Sequence, residues 1–348
     1  MGTFSGGDEQ MLRVALLGLG DISNIHLPAI EENEGVQLVA VCDIDESLKS
    51  KVPGVNFYTD YNELLENETV DCVHICLPHY LHLPATKASV EKGVHVFLEK
   101  PLGLNAEEGL ELVKLEEEYK DVKICVCFQN RFNESFEKLQ ELVQSGEYGK
   151  ITGIKGLVTW FRPESYYQNK PWRGKMKYAG GGVMINQSIH TLDLMQLLGG
   201  EIESIRGSID NLLDYDIEVE DTAVARINFK NGTKGLYFAT NANSGNSSVE
   251  LQVTLEKGKF TIKDSMLTKV NDEGKKEEII EDQKLPGTKF YYGASHVKLI
   301  NKFYSCIEDN TNDYVHAKEA FTSIKMIDLI RLSSKLNQEV EMDVLTLK

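Results

Sequence analysis

The chain has 348 residues, 41% of them hydrophobic and 26% charged, with 37 Lys and Arg against 54 Asp and Glu for a formal charge of −17. That length accommodates two domains with separate cores, and the acidity argues against broad binding to nucleic acid or anionic membrane while leaving local positive pockets open. No stretch approaches the roughly 20 apolar residues of a membrane span, so a cytoplasmic protein is expected.

The polar, Gly-rich start, Met1 to Gln10, reads as a disordered lead-in and not as a signal peptide. From 11 to 128, strand-like and helix-like stretches alternate, which is the grammar of a doubly wound parallel sheet. Strands are expected at Arg13–Leu17, Gln37–Cys42, Cys72–Cys76, Val94–Leu98 and Lys123–Cys127. Helices fall between them, near Ile22–Asn33, Tyr61–Glu66, Pro84–Lys92 and Ala106–Lys120, the last with Asn105 as its N-cap. The Glu116-Glu117-Glu118 run in it is a solvated face.

The pattern changes after Gln129. A helix Glu134–Ser145 leads to a long strand reaching Trp160, then a polar aromatic loop, Arg162–Lys177, and one glycine-started helix, Gly182–Leu198. Long strands follow through about Ile280, with 220–229, 233–240 and 249–255 expected as antiparallel neighbours and Asn231-Gly232 and Lys257-Gly258 as turns. Helices near Ser295–Asp309 and Ala317–Leu336 close the chain. The predicted fold is α/β: an N-terminal Rossmann-type domain over 11–128, then an α+β domain over 129–348 with a large, mostly antiparallel open sheet. Of the six cysteines (Cys42, Cys72, Cys76, Cys125, Cys127 and Cys306) five lie in apolar runs and none forms a CxxC pair, so neither a disulfide framework nor a metal site is expected.

Gly18-Leu19-Gly20-Asp21-Ile22-Ser23 follows the first strand and opens a helix. It has the form G-x-G-x-x-small: Gly18 allows a tight turn, Gly20 lets backbone approach a pyrophosphate, and Ser23 is small enough for close helix–strand packing. Asp43 ends the second strand about twenty residues later, where a carboxylate accepts from ribose hydroxyls and repels a 2′-phosphate, so NAD is favoured over NADP. The run Val94–Leu98 ends on Glu99-Lys100-Pro101, two opposite charges at the carboxyl end of a buried strand, where parallel sheets bind ligands.

Two further segments carry a family resemblance. Leu77-Pro78-His79-Tyr80-Leu81-His82 follows the third strand, and Gly180-Gly181-Gly182 leads into Asn186, His190 and Asp193. With the glycine turn and Glu99-Lys100-Pro101, these resemble the glucose-fructose oxidoreductase/inositol dehydrogenase/MocA (Gfo/Idh/MocA) family over nearly the whole chain. The resemblance implies a pyridine-nucleotide enzyme that oxidises or reduces a hydroxyl carbon of a sugar, cyclitol or sugar derivative. It also implies a homodimer or homotetramer built on the second sheet. Carried over by position, Lys100 sits beside substrate and nicotinamide, and His190 is the acid/base candidate. Leu77, Pro78, His82 and Glu99 line the cofactor, Pro101 is cis, and Trp172-Arg173 reaches cofactor or substrate. His79 joins that lining or is a plain loop residue, and His26 packs in the first helix.

Hydride transfer from a carbinol carbon requires removal of the hydroxyl proton, for which a histidine is the default base and a lysine of depressed pKa or a charge-stabilising lysine helps the developing alkoxide. Asn186 and His190 are expected at i and i+4 on one helix face, with Asp193 as a second orienting partner. Many relatives carry Asp at the position of Asn186. The neutral amide cannot stabilise an imidazolium by charge, which shifts weight onto Lys100. Arg131 either points into the cleft or pairs with Glu134. Tyr166, Tyr167, Arg173 and Lys175 lie in a loop suited to sugar hydroxyls. A catalytically silent nucleotide-binding regulator and an NAD-assisted glycosidase are the alternative readings.

Overall fold

A computed structural model describes residues 11–271, 273–284 and 294–344; the expected lead-in, 1–10, lies outside the described residues. Short, wholly apolar runs form a six-stranded parallel sheet: β1 (Leu12–Leu17), β2 (Val36–Cys42), β3 (Asn56–Tyr58), β4 (Cys72–Ile75), β5 (His95–Leu98) and β6 (Ile124–Val126), in the order β3-β2-β1-β4-β5-β6. Helices cover both faces, so β4 and the last residues of β1 and β5 are fully buried. The strand order reverses between β1 and β4, which opens a crevice at the carboxyl ends. Register then does the positioning. Leu17 lies against Cys42 and Ile75, and Ile75 against Leu98, so the residues that follow β1, β2, β4 and β5 emerge along one rim. Strand β3 and the preceding 3-10 turn Glu46–Lys51 carried no clear periodicity and were not foreseen.

The second sheet has nine strands: β7 (Ile151–Thr159), β8 (Ile202–Asp210), β9 (Thr222–Phe229), β10 (Lys234–Thr240), β11 (Glu250–Leu255), β12 (Gly258–Lys263), β13 (Met266–Val270), β14 (Lys276–Glu281) and β15 (Val340–Glu341). Their order is β14-β13-β12-β11-β7-β10-β9-β8-β15. All neighbours are antiparallel except β7 and β10, which run parallel. This corrects one expectation: β9 and β10 are a hairpin, but β11 pairs with β7, which lies between it and β10. Turn signals reveal hairpins; they carry nothing about a strand returning from eighty residues upstream.

Alternation gives this sheet two faces. Ile154, Val158, Ala225, Ile227, Tyr237 and Ala239 are buried, whereas Val224 and Leu236 are 41% and 50% exposed. The helix Ile189–Gly199 lies directly on the buried face: a Cβ on Gly156 would come within 2.5 Å of Met195 Sδ and 2.6 Å of Thr191 Cγ2. The expected single helix from Gly182 is broken into Val183–Asn186 and Ile189–Gly199. Ser188 marks the break: its amide and its hydroxyl both donate to the Val183 carbonyl, at 3.0 and 2.8 Å, five residues back instead of four. No helix among the described residues is long and apolar enough to cross a membrane.

Candidate active site

Gly18 has φ +97°, and a Cβ there would lie 2.5 Å from the Cys76 carbonyl oxygen, so the turn after β1 admits only glycine. Above Gly20 the space is open, the nearest atom to an added Cβ being Lys170 Nζ at 3.8 Å. Ser23 Oγ closes the turn by donating to the Gly20 carbonyl at 2.7 Å. Asp43 is anchored to the same turn: Oδ2 accepts from the Leu19 amide at 2.7 Å and Oδ1 from Asp45 at 2.9 Å, which leaves lone pairs for ribose hydroxyls. Open backbone at Gly20, a fixed carboxylate and the helix start at Ser23 fit a dinucleotide. Ile22 is half-buried beside them. Lys51 reaches the Leu19 carbonyl at 3.3 Å, a cation near this corner that spacing did not reveal.

Leu77 and Pro78, half-buried, form the opposite bank of the crevice. His82 holds both ring nitrogens against backbone carbonyls, and His79 holds one. His79 Nδ1 donates to the Ala179 carbonyl at 2.7 Å and packs edge-on to Trp172, with ring centroids 4.9 Å apart. His82 lies with Nδ1 2.7 Å from the Pro101 carbonyl and Nε2 3.0 Å from that of Leu77. Burial pushes both imidazoles below their ordinary pKa. His82 braces the bank from behind.

The Lys100–Pro101 peptide is cis, and Glu99 and Lys100 diverge. Glu99, expected to line the cofactor, turns inward and is buried. Its Oε1 lies 2.9 Å from His26 Nε2, His26 Nδ1 lies 2.7 Å from His74 Nδ1, and His74 Nε2 lies 2.7 Å from the Tyr304 hydroxyl. A carboxylate only accepts, so His26 donates to Glu99 from Nε2, and one proton is shared in each of the His26–His74 and His74–Tyr304 contacts. Burial alone would raise the Glu99 carboxyl; the hydrogen bond and charge from His26 outweigh it and hold the group well below the usual carboxylate range. Cys127 and His296 complete the cluster, their potential ligand atoms and that of Glu99 all within 4.8 Å of one another. Burial raises the Cys127 thiol and lowers His296 to about 4. With the carboxylate committed to His26 and the thiol kept protonated, this is a hydrogen-bonded cluster and not a prepared cation site.

Lys100 points the other way. Its Nζ donates to the Asn186 carbonyl at 2.9 Å, with no carboxylate in ion-pair distance among the described residues. Desolvation lowers its pKa, with Glu99 partly opposing. Asn186 and His190 reach this cleft from two successive helices, so the expected i,i+4 pairing on one face is corrected. His190 Nε2 is 3.4 Å from Gln129 Nε2, while its Nδ1 is buried without a partner among the described residues. Burial, then the Lys100 charge, push this imidazole well below its ordinary pKa.

Asp193 does not orient His190. It accepts both Arg131 Nη2 at 2.7 Å and Nε at 2.8 Å, and Arg131 also pairs with Glu319. Arg131 therefore faces neither the cleft nor Glu134; a buried carboxylate captures the guanidinium fork bidentately. Asn186 Nδ2 and Gln187 Nε2 each donate to the Tyr166 hydroxyl at 3.0 Å, and Asn241 donates to Gln187 Oε1 at 3.0 Å. Gln187 and Asn241 were not foreseen; Gln187 adjoins a flagged residue, but Asn241 sits in no motif. Tyr167 is buried, against Asn241. Arg173 stacks 4.2 Å from the Tyr166 ring centroid and, with Lys170, pairs with Asp21 at 3.2 and 3.1 Å. Lys175 is taken by Glu218 at 3.2 Å. Gly182 is required by contact, since a Cβ would lie 1.8 Å from the Glu220 carbonyl, while Glu220 Oε1 accepts from the amides of Gly182 and Met184 at 3.0 and 3.3 Å.

Residues 12–128 match the oxidoreductase family with an NAD-binding Rossmann fold, and residues 136–261 match the GFO/IDH/MocA C-terminal domain. The chain is 29% identical to the myo-inositol 2-dehydrogenase of Thermotoga maritima over 235 residues, 65% of this chain and 67% of that one. It is 26% identical to the scyllo-inositol 2-dehydrogenase (NAD(+)) of Bacillus subtilis over 350 residues, covering 97% and 98%. The WlbA dehydrogenase of Chromobacterium violaceum, crystallised with NADH and UDP-GlcNAcA, superposes with a TM-score of 0.84 at 26% identity over 98% of this chain and 99% of that one. The glycine turn with its anchored Asp43, the two sheets and the matches along both halves thus agree, and the chain belongs to the Gfo/Idh/MocA family as an NAD-dependent dehydrogenase.

Proposed function

We propose that this enzyme moves hydride between the nicotinamide and a hydroxyl carbon of a sugar, cyclitol or sugar-derived polyol, with Lys100 and His190 handling the hydroxyl proton. One observation carries the reading. The half-buried Lys100 amine, fixed by the Asn186 carbonyl and free of any carboxylate among the described residues, shares a cleft with the half-buried His190, whose Nε2 lies 3.4 Å from the Gln129 side-chain amide. A substrate hydroxyl between the two would accept from Lys100 and donate to the His190 ring. In oxidation, Lys100 donates to the reacting oxygen and steadies the developing alkoxide, and the neutral His190 imidazole accepts the proton. Bound NAD supplies the hydride acceptor. Gly18, Gly20, Asp21, Ile22 and Ser23 would seat its pyrophosphate, Asp43 its adenosine ribose, and Leu77, Pro78, Trp172 and Arg173 its nicotinamide half. Asn186 and Tyr166 would meet further substrate hydroxyls.

The same reading divides the chain into a cofactor half, 11–128, and a substrate and oligomerisation half, 129–348, of a cytoplasmic homodimer or homotetramer. The exposed Val224 and Leu236 on the outer sheet face support assembly there. The test is NADH formation across a polyol and sugar panel, together with Lys100→Met. That variant should bind NAD with unchanged affinity and lose about a thousandfold in kcat, the scale of removing one preorganised charge-stabilising donor; near-normal turnover would overturn the mechanism.

A further inference from the structure

We propose that the substrate carries an anionic group, a carboxylate or a phosphate, and that Arg162 is the residue that selects it. The proposal rests on the oxidoreductase reading above and narrows its substrate class.

The loop 162–177 is a basic island in a chain of net charge −17. It holds Arg162, Lys170, Arg173, Lys175 and Lys177 against the single acid Glu164. Three of these cations have carboxylate partners: Lys170 and Arg173 share Asp21, and Lys175 has Glu218. Lys177, also without a carboxylate in ion-pair distance among the described residues, lies 5.4 Å over the ring of its neighbour Tyr178, outside the loop. Arg162 alone of the five is both stacked inside the loop and without a carboxylate in ion-pair distance among the described residues. Its Nη1 donates to the Phe161 carbonyl at 2.8 Å and to Asn246 Oδ1 at 3.1 Å, which leaves the donors on Nη2 and Nε for a ligand.

Its place is fixed from both sides. The guanidinium carbon lies 4.8 Å from the Trp160 ring centroid and 5.4 Å from that of Tyr166. Such stacking holds the planar fork in one orientation, and a fixed fork suits the paired oxygens of a carboxylate or phosphate. Tyr166 accepts from Asn186, and Asn186 accepts from Lys100, so a chain of direct contacts leads from Arg162 to the reacting end. Arg173, which reaches back to Asp21 on the cofactor turn, stacks on the same Tyr166 ring and has a buried, unpartnered Nε. A neutral polyol needs none of this cationic equipment, because amide and carbonyl groups satisfy hydroxyls. An anion approaching a protein this acidic meets net repulsion, and a local, uncompensated guanidinium is what reverses the sign at the cleft.

The experiment uses the full-length enzyme with NAD and matched probes: hexuronates, hexose phosphates and the corresponding neutral hexoses and cyclitols. Turnover is followed by NADH absorbance and binding by thermal shift. Wild type should favour one anionic class over its neutral counterpart by at least tenfold in kcat/KM, the scale of a charge-assisted hydrogen bond. Arg162→Gln should collapse that ratio, mainly through KM, and Arg162→Lys should restore part of it. The uronate and phosphate arms identify which anion is read. Equal or better use of the neutral member, an Arg162→Gln loss shared alike by acid and neutral probes, or no binding of any anionic probe would each overturn the proposal. Arg162-dependent binding of an anion with no NADH formed would leave it standing and sink the redox reading instead.

Discussion

His26 donates to Glu99 across 2.9 Å in the fully enclosed space behind β5, so the charge next to Lys100 in sequence is held on the far side of the strand from the cleft. Glu99 stays ionised there through His26, His74 and Tyr304, and it acts on Lys100 only through the field it sets up.

This enclosed cluster makes stability depend on pH. His296 falls from an ordinary value of 6.5 to about 4 in the folded chain, and His74, His79 and His190 are lowered as well. A lowered histidine is fully stabilising above its unfolded value, and its contribution is lost as pH falls from 6.5 towards the folded value. For His296 this amounts to on the order of 3 kcal/mol. Glu99, also lowered, adds a loss that begins only below its ordinary 4.5. Urea midpoints measured at pH 7.5 and 5.0 should differ sharply in favour of the higher pH; equal midpoints would contradict the buried neutral histidines.

Asp43→Asn should weaken NAD binding about tenfold and NADP binding less. The amide loses the charge that ribose hydroxyls donate to, and its NH2 would face either the Leu19 or the Asp45 amide, donor against donor. Fluorescence titration with both nucleotides measures this. An unchanged NAD affinity would remove Asp43 from the site.

Arg131→Met tests a structural role against a substrate role. The substitution leaves Asp193 buried and uncompensated, at a cost of about 3–5 kcal/mol in unfolding free energy. At a temperature where the variant is folded, KM should be unaltered. A variant of normal stability with a much higher KM would return Arg131 to the cleft.

Gly182→Ala should be severe, about 3 kcal/mol or more, since a Cβ at 1.8 Å from the Glu220 carbonyl forces backbone apart where no side chain can yield. Because Asn186 and the carbonyl that fixes Lys100 hang from this start, lowered melting temperature should come with lost turnover. A stable and active Gly182→Ala enzyme would show that the contact relaxes freely.

The cofactor rim was legible because each part obeys a local rule: a turn needing glycine at Gly18, a strand ending in Asp43, and charges at the end of β5. Lys100 and His190, the groups proposed to react, could be singled out for the same reason. What sequence did not reveal is which partner each side chain takes. Arg131 and Asp193 lie 62 residues apart, and His26, His74, Glu99 and Tyr304 come from four elements, so their pairing exists only after folding. The helix break at Ser188 gathers its amide and hydroxyl on the one Val183 carbonyl, and no hydrophobic period registers that. Likewise the parallel pairing of β7 with β10 leaves no trace in any turn.

Asp21 stands in the glycine turn yet spends its carboxylate on Lys170 and Arg173 from the other half of the chain. Lys170 borders the space over Gly20, and Arg173 lies on the Tyr166 ring, whose hydroxyl accepts from Asn186. Should binding at one end shift these contacts, thermodynamic reciprocity fixes the form of the coupling: by whatever factor NAD alters the affinity for the second reactant, that reactant alters the affinity for NAD. Substitution of Asp21 would show itself in that shared factor, read as the NAD affinity with and without the second reactant.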